Sequence, residues 1–259
     1  MRRAVAPLRE SLASTVASTI GYTAACGVLP LAVAVIAMRR ISGNSPRFDP
    51  LIRIGAACIP TIFGIRVRTR GATRLEQDSA MQGPLVIVAN HVNIFDGFVL
   101  RGSLPAALRI RALELESHFS WPVYGTAMRL YGNIPVPHNS PREAARSLCR
   151  ARRALTSGTS LLVLPEGHRT RTGRLQRFMS GPFRLAREAG VPILPVVMAG
   201  MFQRQRVGYP RVHPGTVTLR VGTPVTREEV LGMSERDLRN LVQTRMQAML
   251  YTSRDTGIT

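Results

Sequence analysis

PLVIVANHVNIFD, residues 84–96, is the stretch of sequence that decides the fold. Its first half, residues 84–89, is a short continuous apolar run, which is typical of a strand buried on both faces of a parallel sheet. His91 follows this strand directly, and Asp96 lies five residues further on. Because ligands bind at the carboxyl ends of the strands in open α/β sheets, we expect His91 to lie at the functional edge of such a sheet.

Apolar runs and helical stretches alternate along the rest of the chain. Residues 64–70 alternate apolar side chains with arginine, which is strand periodicity. Further strands are predicted at 160–164, 192–198 and 216–221, and helices at 140–157, at 181–189 and from Thr226 or Ser234 to about 251. Strands that alternate with helices form βαβ units, so we predict an α/β fold with a mostly parallel sheet flanked by helices.

The N-terminal segment has a different character, because residues 11–38 contain no charged side chain. As one helix it would extend about 42 Å at 1.5 Å per residue, which exceeds the roughly 30 Å of a bilayer's hydrocarbon core. We therefore predict a membrane-associating helical segment. It either spans the membrane or inserts as a bent, monotopic element, since Gly21, Gly27 and Pro30 can divide it. A buried core helix and a cleaved signal peptide are the other interpretations, although the apolar region is long for a signal peptide.

A polar linker at residues 41–50 and an apolar stretch at 51–63 follow. The apolar stretch is too short to span a bilayer, so we expect a packing or interfacial helix there. We predict two parts of the chain, a membrane-associating segment with its linker at 1–63 and an α/β domain at 64–259.

The chain is strongly basic, with a formal net charge of +20 and no lysine, so every cation apart from histidine is an arginine. Such a charge suits a nucleic acid, an anionic membrane or an acidic substrate. Nucleic acid is disfavoured because aromatic side chains make up only 5% of the residues and are not interleaved with arginine. The three cysteines are far apart, which argues against a disulfide framework or a zinc site.

His91 and Asp96 are the first candidate catalytic residues. A turn between strand and helix can bring the carboxylate to the imidazole, and such a pair is a general-base unit. No serine or cysteine nucleophile is needed if the substrate's own hydroxyl attacks. The pattern alone equally fits a histidine at a strand end and an aspartate that caps a helix.

A second group of polar residues, EGHRTRTGR at 166–174, also follows a predicted strand. Glu166 can accept hydrogen bonds from substrate hydroxyls, Gly167 lets a ligand approach the backbone, and the arginines can hold phosphate with paired hydrogen bonds. On charge alone, a solvated basic loop is the commoner case. The spacing of His91, Asp96, Glu166 and His168 matches no metal-ligand motif, so we predict no metal site.

Four blocks in order resemble the glycerolipid acyltransferase family, the lysophosphatidate acyltransferase-like enzymes. In chain order they are Asn90-His91-x4-Asp96, the stretch GNIPVPH at 132–138, Pro165-Glu166-Gly167-x-Arg169 and the stretch VPILPV at 191–196. The likeness covers about residues 60–225. Each block is weak or moderate by itself, and the four in the right order make the resemblance specific.

The resemblance implies an enzyme that moves a fatty acyl group to a hydroxyl of a lysophospholipid or glycerol-phosphate acceptor. The donor would be acyl-CoA or acyl-carrier protein, with no further cofactor. His91 would be the general base and Asp96 would orient it, while Glu166, Gly167, Arg169 and Arg171 would bind the acceptor. A membrane lipid would be the partner, at the cytoplasmic face of the inner (plasma) membrane.

Three residues depart from the family pattern. His138 stands in place of an arginine, His168 in place of a threonine, and Met179 where a lysine is often found. The two lost cations help to bind the acceptor phosphate in the family, so a phosphatidate-type acceptor is in doubt unless Arg171 or Arg174 compensates. The alternatives are a lyso-aminolipid or other lipid hydroxyl as acceptor, and a non-catalytic membrane-binding protein on the same fold.

Overall fold

The structure is a computed structural model that describes residues 5–43, 50–72, 83–105, 108–137 and 140–251. The strands found there are β1 Ile65–Arg70, β2 Val86–Ala89, β3 Ile110–Leu115, β4 Ile134–Val136, β5 Ser160–Val163, β6 Ile193–Ala199 and β7 Gly215–Val221. The helices are α1 Val5–Ile41, α2 Pro50–Ile62, α3 Asp96–Ser103, α4 Tyr124–Tyr131, α5 Pro141–Thr156, α6 Gly181–Ala189, α7 Met201–Arg204, α8 Arg227–Gly232 and α9 Glu235–Tyr251, and a 3-10 helix lies at Glu116–Ser120.

The strands form one sheet in the order β1-β7-β6-β2-β5-β3-β4. The five strands from β6 to β4 in this order run parallel, so their carboxyl ends meet at one edge, called here the carboxyl edge. β7 pairs with β6 in the antiparallel sense, and β1 pairs with β7 in parallel. The predicted α/β fold with a mostly parallel sheet is confirmed. The two predicted site segments follow β2 and β5, which are neighbours in the sheet.

Apolar layers cover both faces of the sheet. One layer contains Ile87 and Leu194 from the strands, Phe63 from the residue after α2, and Val99 from α3. The other layer is contributed largely by α5, α6 and α9. This double cover explains why β2 and β5 consist of buried apolar residues, as their sequence predicted. Ile59 of α2 belongs to this layer, so that part of α2 packs against the core, while Ile54 is exposed.

The helix starts follow from capping side chains. The Oγ atom of Ser140 accepts a hydrogen bond from the backbone N–H of Glu143 at 3.3 Å and begins α5, as predicted. Thr226 begins α8 with a capping box, and Ser234 accepts from the backbone N–H of Asp237 ahead of α9. Both of the predicted alternative starts are therefore used, one for each of two helices.

β3, β4 and α4 are absent from the sequence prediction. In β3 only Ile110 is fully buried, and Arg111 and Glu114 interrupt any apolar run or alternation. β4 has three residues, too few for a periodic pattern. Both strands are recognised only by their pairing with neighbours in the folded chain.

α1 is a single helix that Gly21, Gly27 and Pro30 do not interrupt. Its segment Leu12–Met38 is long and apolar enough to cross a membrane. One face is exposed and carries Leu12, Val16, Ile20 and Leu31. The opposite face, with Ser14, Ser18, Gly21, Tyr22 and Ala25, packs against the α/β core. The predicted linker at 41–50 falls mostly outside the described residues.

The docked face of α1 makes polar as well as apolar contacts. Ser18 Oγ accepts a hydrogen bond from the backbone N–H of Val212 at 2.8 Å, and the Tyr22 hydroxyl donates to the carbonyl of Pro210 at 2.8 Å. The Tyr22 ring packs edge-on against Phe63, which packs in turn against Phe95. α1 is therefore joined through two aromatic contacts to the turn that precedes Asp96.

Candidate active site

His91 and Asp96 meet at the carboxyl end of β2. The Nδ1 atom of His91 lies 2.8 Å from Oδ2 of Asp96, and Asp96 is the first residue of α3. The strand ends at Ala89, and the chain turns back before the helix begins, which brings together two side chains that one continuous helix would separate by about 140°. The sequence prediction that a turn would join this pair is met by the geometry.

The Asp96 carboxylate holds the turn as well as the imidazole. Its Oδ2 atom also accepts hydrogen bonds from the backbone N–H groups of Val92 at 2.6 Å and Asn93 at 3.1 Å. Burial raises the pKa of Asp96 above that of an ordinary aspartate, although the bonds from His91 and the backbone act in the opposite direction. The carboxylate is buried while 22% of the His91 side chain is exposed. The imidazole is therefore accessible from outside the protein, whereas the Asp96 carboxylate contacts the imidazole and the turn from within.

Two asparagines that sequence reasoning missed fix the ends of this turn. Asn90 Oδ1 accepts from the backbone N–H of Met198 at 2.8 Å, which ties the end of β2 to β6. Asn93 Nδ2 donates to the carbonyls of Met201 and Gln205, and its Oδ1 accepts from the N–H of Phe95. Both side chains are buried, so each bond replaces one to water. Their position inside the motif was the only available signal.

Glu166 lies beside the same turn. Its Oε1 accepts from the backbone N–H of His91 at 2.6 Å, and its Oε2 accepts from the N–H of Gln176 at 2.8 Å. Burial raises the pKa of Glu166, and these bonds partly offset that rise. The sequence predicted that Glu166 would bind the acceptor. In the structure each of its oxygens accepts one backbone hydrogen bond, so Glu166 supports the His91 segment, and its predicted contact with the acceptor stays a prediction.

Thr170 completes the support of His91 and was also missed from the sequence. Its backbone N–H donates to the carbonyl of His91 at 2.9 Å, so residues 166–174, called here the second loop, hold His91 at both its N–H and its carbonyl. The buried Thr170 hydroxyl donates to the carbonyl of Arg174 and accepts from the N–H groups of Thr172 and Gly173. One side chain thus organises the arginine-rich loop and joins it to the histidine.

The other predicted binding residues lie on the surface of this loop. Gly167 has φ +73°, a conformation that favours glycine, and a side chain there would meet the thioether of Met179. Arg169, Arg171 and Arg174 are exposed. The guanidinium groups of the loop that begins with Glu166 are therefore open to solvent. His138 lies outside the described residues.

In the part of the chain that the structure describes, no group of three or more His, Cys, Asp or Glu side chains is placed to hold a metal ion. Cys26, Cys58 and Cys149 are free and exposed.

Comparisons with known proteins identify the family of this chain. The sequence model of the family described as Acyltransferase matches residues 66–199. The chain is 29% identical over 230 residues to the human protein named 1-acyl-sn-glycerol-3-phosphate acyltransferase alpha, which covers 88% of this chain and 78% of that protein. It is 32% identical over 126 residues to a chloroplastic protein of the same name from Brassica napus, which covers 49% of this chain.

Coverage of the relatives differs widely. The matched part spans only 36% of the Brassica protein, and 62% of a relative from Pseudomonas aeruginosa that is 27% identical. Among solved structures, the 1-acyl-sn-glycerophosphate acyltransferase PlsC of Thermotoga maritima has a TM-score of 0.78 with 20% identity, covering 93% of this chain and 96% of that one. At this identity the structural likeness supports the fold.

Proposed function

This chain belongs to the Acyltransferase family, and we propose on that basis that it transfers a fatty acyl group from a thioester donor to a hydroxyl of a lysophospholipid. The observation that carries the proposal is the 2.8 Å contact between His91 Nδ1 and Asp96 Oδ2 at the carboxyl edge. An accessible imidazole held by a buried carboxylate is a general-base unit.

The reaction follows from the two nitrogens of the imidazole. When Nδ1–H donates to Asp96, the Nε2 atom of His91 keeps its lone pair and takes the proton from the acceptor hydroxyl. The acceptor oxygen attacks the thioester carbonyl carbon and forms the new ester bond. The carbon–sulfur bond then breaks, and the imidazolium returns the proton to the departing thiolate. Donors of this type are acyl-CoA and acyl-carrier protein, and an assay with each would distinguish them.

The exposed arginines of the second loop support a phosphate-bearing acceptor. Arg169, Arg171 and Arg174 present guanidinium groups that match the geometry of phosphate oxygens. The relatives that share the family carry the name 1-acyl-sn-glycerol-3-phosphate acyltransferase. We propose an acceptor of this class.

Met179 favours a second candidate acceptor. Its thioether lies against Gly167, and 55% of the residue is exposed beside the arginine loop. An apolar side chain at this position suits a lipid headgroup that lacks the glycerol phosphate, such as a lyso-aminolipid. A panel of lysolipids offered to the purified protein would rank the two acceptor classes by kcat/KM.

The reaction is tested by replacing the base. His91→Ala should lower kcat by about 10²–10⁴-fold, the usual contribution of a general base. His213→Ala is the matched control, because this histidine is exposed and lies outside the site. Transfer of a labelled acyl group that persists in His91→Ala, with any acceptor, would contradict the mechanism. A lipid phenotype that survives this substitution in cells would favour the non-catalytic alternative.

We also propose that α1 attaches the protein to a membrane by half-insertion. Ser18 and Tyr22 lie well inside the apolar segment Leu12–Met38. Both form hydrogen bonds to a loop that carries Arg206 and Arg211. A spanning α1 would draw this loop toward the bilayer interior, at about 2.5–3.5 kcal/mol for each arginine. Half-insertion leaves the exposed apolar face of α1 in lipid and the docked face on the protein.

Half-insertion and spanning predict different topologies. Epitope tags at the two ends of the chain should be on the same side of the membrane if α1 is half-inserted, and the cytoplasmic face of the inner (plasma) membrane is the side we propose. Protease protection in intact and permeabilised cells reads this directly. Tags on opposite sides would show that α1 spans.

A further inference from the structure

Tyr22 connects α1 to the loop between α7 and β7. Its hydroxyl donates to the carbonyl of Pro210 at 2.8 Å and accepts from Nε2 of the Gln205 side chain at 3.3 Å. Gln205 is buried, and its Nε2 atom also donates to the carbonyl of Tyr209 at 3.4 Å. Because Tyr22 and Gln205 are 183 positions apart in the sequence, a distant part of the chain supplies one partner of this buried amide.

The main chain of Gln205 leads on to the turn between His91 and Asp96. Its carbonyl accepts from Nδ2 of Asn93 at 3.3 Å. Asn93 is 2% exposed, so protein groups and not bulk water satisfy its amide. The backbone N–H of Asn93 donates in turn to Oδ2 of Asp96 at 3.1 Å. Three successive contacts therefore join Tyr22 to the carboxylate beside the imidazole.

The ring of Tyr22 reaches the same turn by a second route. It packs edge-on against Phe63 with the ring centroids 5.0 Å apart, and Phe63 packs against Phe95 with the centroids 4.9 Å apart. Phe95 directly precedes Asp96, and its backbone N–H donates to Oδ1 of Asn93 at 3.0 Å. The two routes from Tyr22 therefore converge at Asn93.

The position of Asp96 depends on this turn because the carboxylate is held through one oxygen. Its Oδ2 atom contacts Nδ1 of His91 and accepts from the backbone N–H groups of Val92 and Asn93. Its Oδ1 atom is buried and has no hydrogen-bond partner among the described residues. A shift of Asn93 therefore moves the carboxylate relative to the imidazole without opposition from a bond at the other oxygen.

We propose that Tyr22 and Gln205 are positioning residues, which keep His91 and Asp96 in their 2.8 Å contact by fixing Asn93. In this role α1 completes the support of the site from a part of the chain other than the second loop. The inference rests on the proposed acyl transfer, because it concerns the placement of the proposed base.

Substitutions at Tyr22 separate the two routes. Tyr22→Phe removes the hydroxyl and keeps the ring, whereas Tyr22→Leu removes both. In the full-length protein we expect kcat to fall by about 10-fold in Tyr22→Phe and by about 10²-fold in Tyr22→Leu, the effect of a misplacement near 1 Å. KM for the acceptor should change little, because the hydroxyl is bonded to protein groups.

A double variant tests whether the two side chains act in one route. Gln205→Met removes the amide that bonds to the hydroxyl of Tyr22, so its kcat should match that of Tyr22→Phe. When both changes are combined, kcat should fall no further than in the weaker single variant, since contacts in one route are not additive. A loss equal to the product of the single effects would show that the residues act independently and would contradict the route.

Ser18→Ala is the matched control. Ser18 also joins α1 to the loop before β7, but its bonds go to Ser14 and Val212 and do not lead to Asn93. This change should lower Tm by an amount similar to that of Tyr22→Phe and leave kcat unchanged. An equal loss of kcat in the two variants would show that docking of α1 in general supports activity, and would overturn the proposal.

Hydrogen exchange measured by mass spectrometry reads the turn without any turnover of substrate. The amides of Val92, Asn93 and Phe95, which are bonded within the turn, should exchange faster in Tyr22→Phe than in the wild type. The amides of β6 should keep their rates, and Ser18→Ala should leave the turn unchanged. Faster exchange in β6 as well as in the turn would indicate general destabilisation and would also overturn the proposal.

Failure of the inference differs from failure of the proposed reaction. A wild type that transfers acyl groups, together with unchanged kcat and exchange in Tyr22→Leu, would refute the positioning role alone. A wild type that transfers no acyl group to any acceptor would refute the reaction. Exchange in the turn would still decide whether Tyr22 holds Asn93 in place.

Discussion

The replacement Glu166→Gln tests whether this residue supports the site or binds the substrate. The carboxylate accepts from the N–H groups of His91 and Gln176, one on each oxygen. Glutamine keeps the shape but has a single oxygen, so one of the two N–H groups faces the amide nitrogen and loses its acceptor. A buried donor without a partner costs about 1–3 kcal/mol.

A second effect works against this loss. Burial raises the pKa of Glu166, which means that the charged form is less favourable inside the protein than in water, and glutamine carries no charge. We therefore expect a net loss near 1 kcal/mol, which lowers Tm by about 2–4 °C in a chain of this size. Because His91 depends on the lost contact, kcat should fall by about 10²-fold, the effect of a misplacement near 1 Å.

Thermal unfolding and steady-state kinetics with varied acceptor decide between the two roles. A support gives a lower Tm and a lower kcat with KM for the acceptor little changed, whereas a binding residue gives a raised KM and an unchanged Tm. Glu188→Gln is the control, since Glu188 is exposed on α6 and pairs with the exposed Arg184. A variant with wild-type Tm and kcat and a raised KM would refute the supporting role.

Three further changes test other parts of the structure. Gly21→Ala should destabilise the fold by about 1–3 kcal/mol and lower Tm, because the new methyl group would overlap the buried ring of Phe63. Gly27→Ala is the control, since its methyl group meets no atom, and it should leave Tm unchanged or raise it. Thr170→Val removes the hydroxyl that organises the second loop and should lower kcat, while Thr170→Ser should restore it in the same assay. Burial raises the pKa of Asp96, so the folded wild type binds a proton more tightly than the unfolded chain does. Its free energy of unfolding should therefore fall relative to that of Asp96→Asn as the pH rises above about 4. Urea titrations at several pH values would measure this difference.

The sequence predicted those features whose causes are local. The turn between His91 and Asp96 followed from a buried strand and a helix start only a few residues apart, and β5 followed from its apolar run. The contact between Glu166 and His91 joins residues 75 positions apart and depends on β2 and β5 being neighbours. Strand order is set by long-range packing, so the sequence could place Glu166 at the correct edge but not identify its partner.

The same distinction applies to polar residues in the motifs. Asn93 and Thr170 have types that suit many loops, and only their buried bonds to distant backbone groups reveal what they do. The antiparallel pairing of β7 with β6 was also beyond reach, because a strand's direction leaves no trace in its own pattern.

In the reaction that we propose, placement of His91 and recognition of the acceptor rest on different side chains of the second loop. Glu166 and Thr170 are buried. A change of the Glu166 side chain leaves the N–H of His91 without its acceptor, and a change of the Thr170 side chain removes the hydroxyl bonds that organise the loop whose backbone holds the His91 carbonyl. His168 and Met179 are exposed, and they are where the sequence departs from the family pattern. Substitutions at exposed positions cost little stability, so they can alter the acceptor while the histidine keeps its geometry. We therefore expect differences in acceptor preference between this chain and its relatives to lie at such exposed positions, with the supports of His91 unchanged.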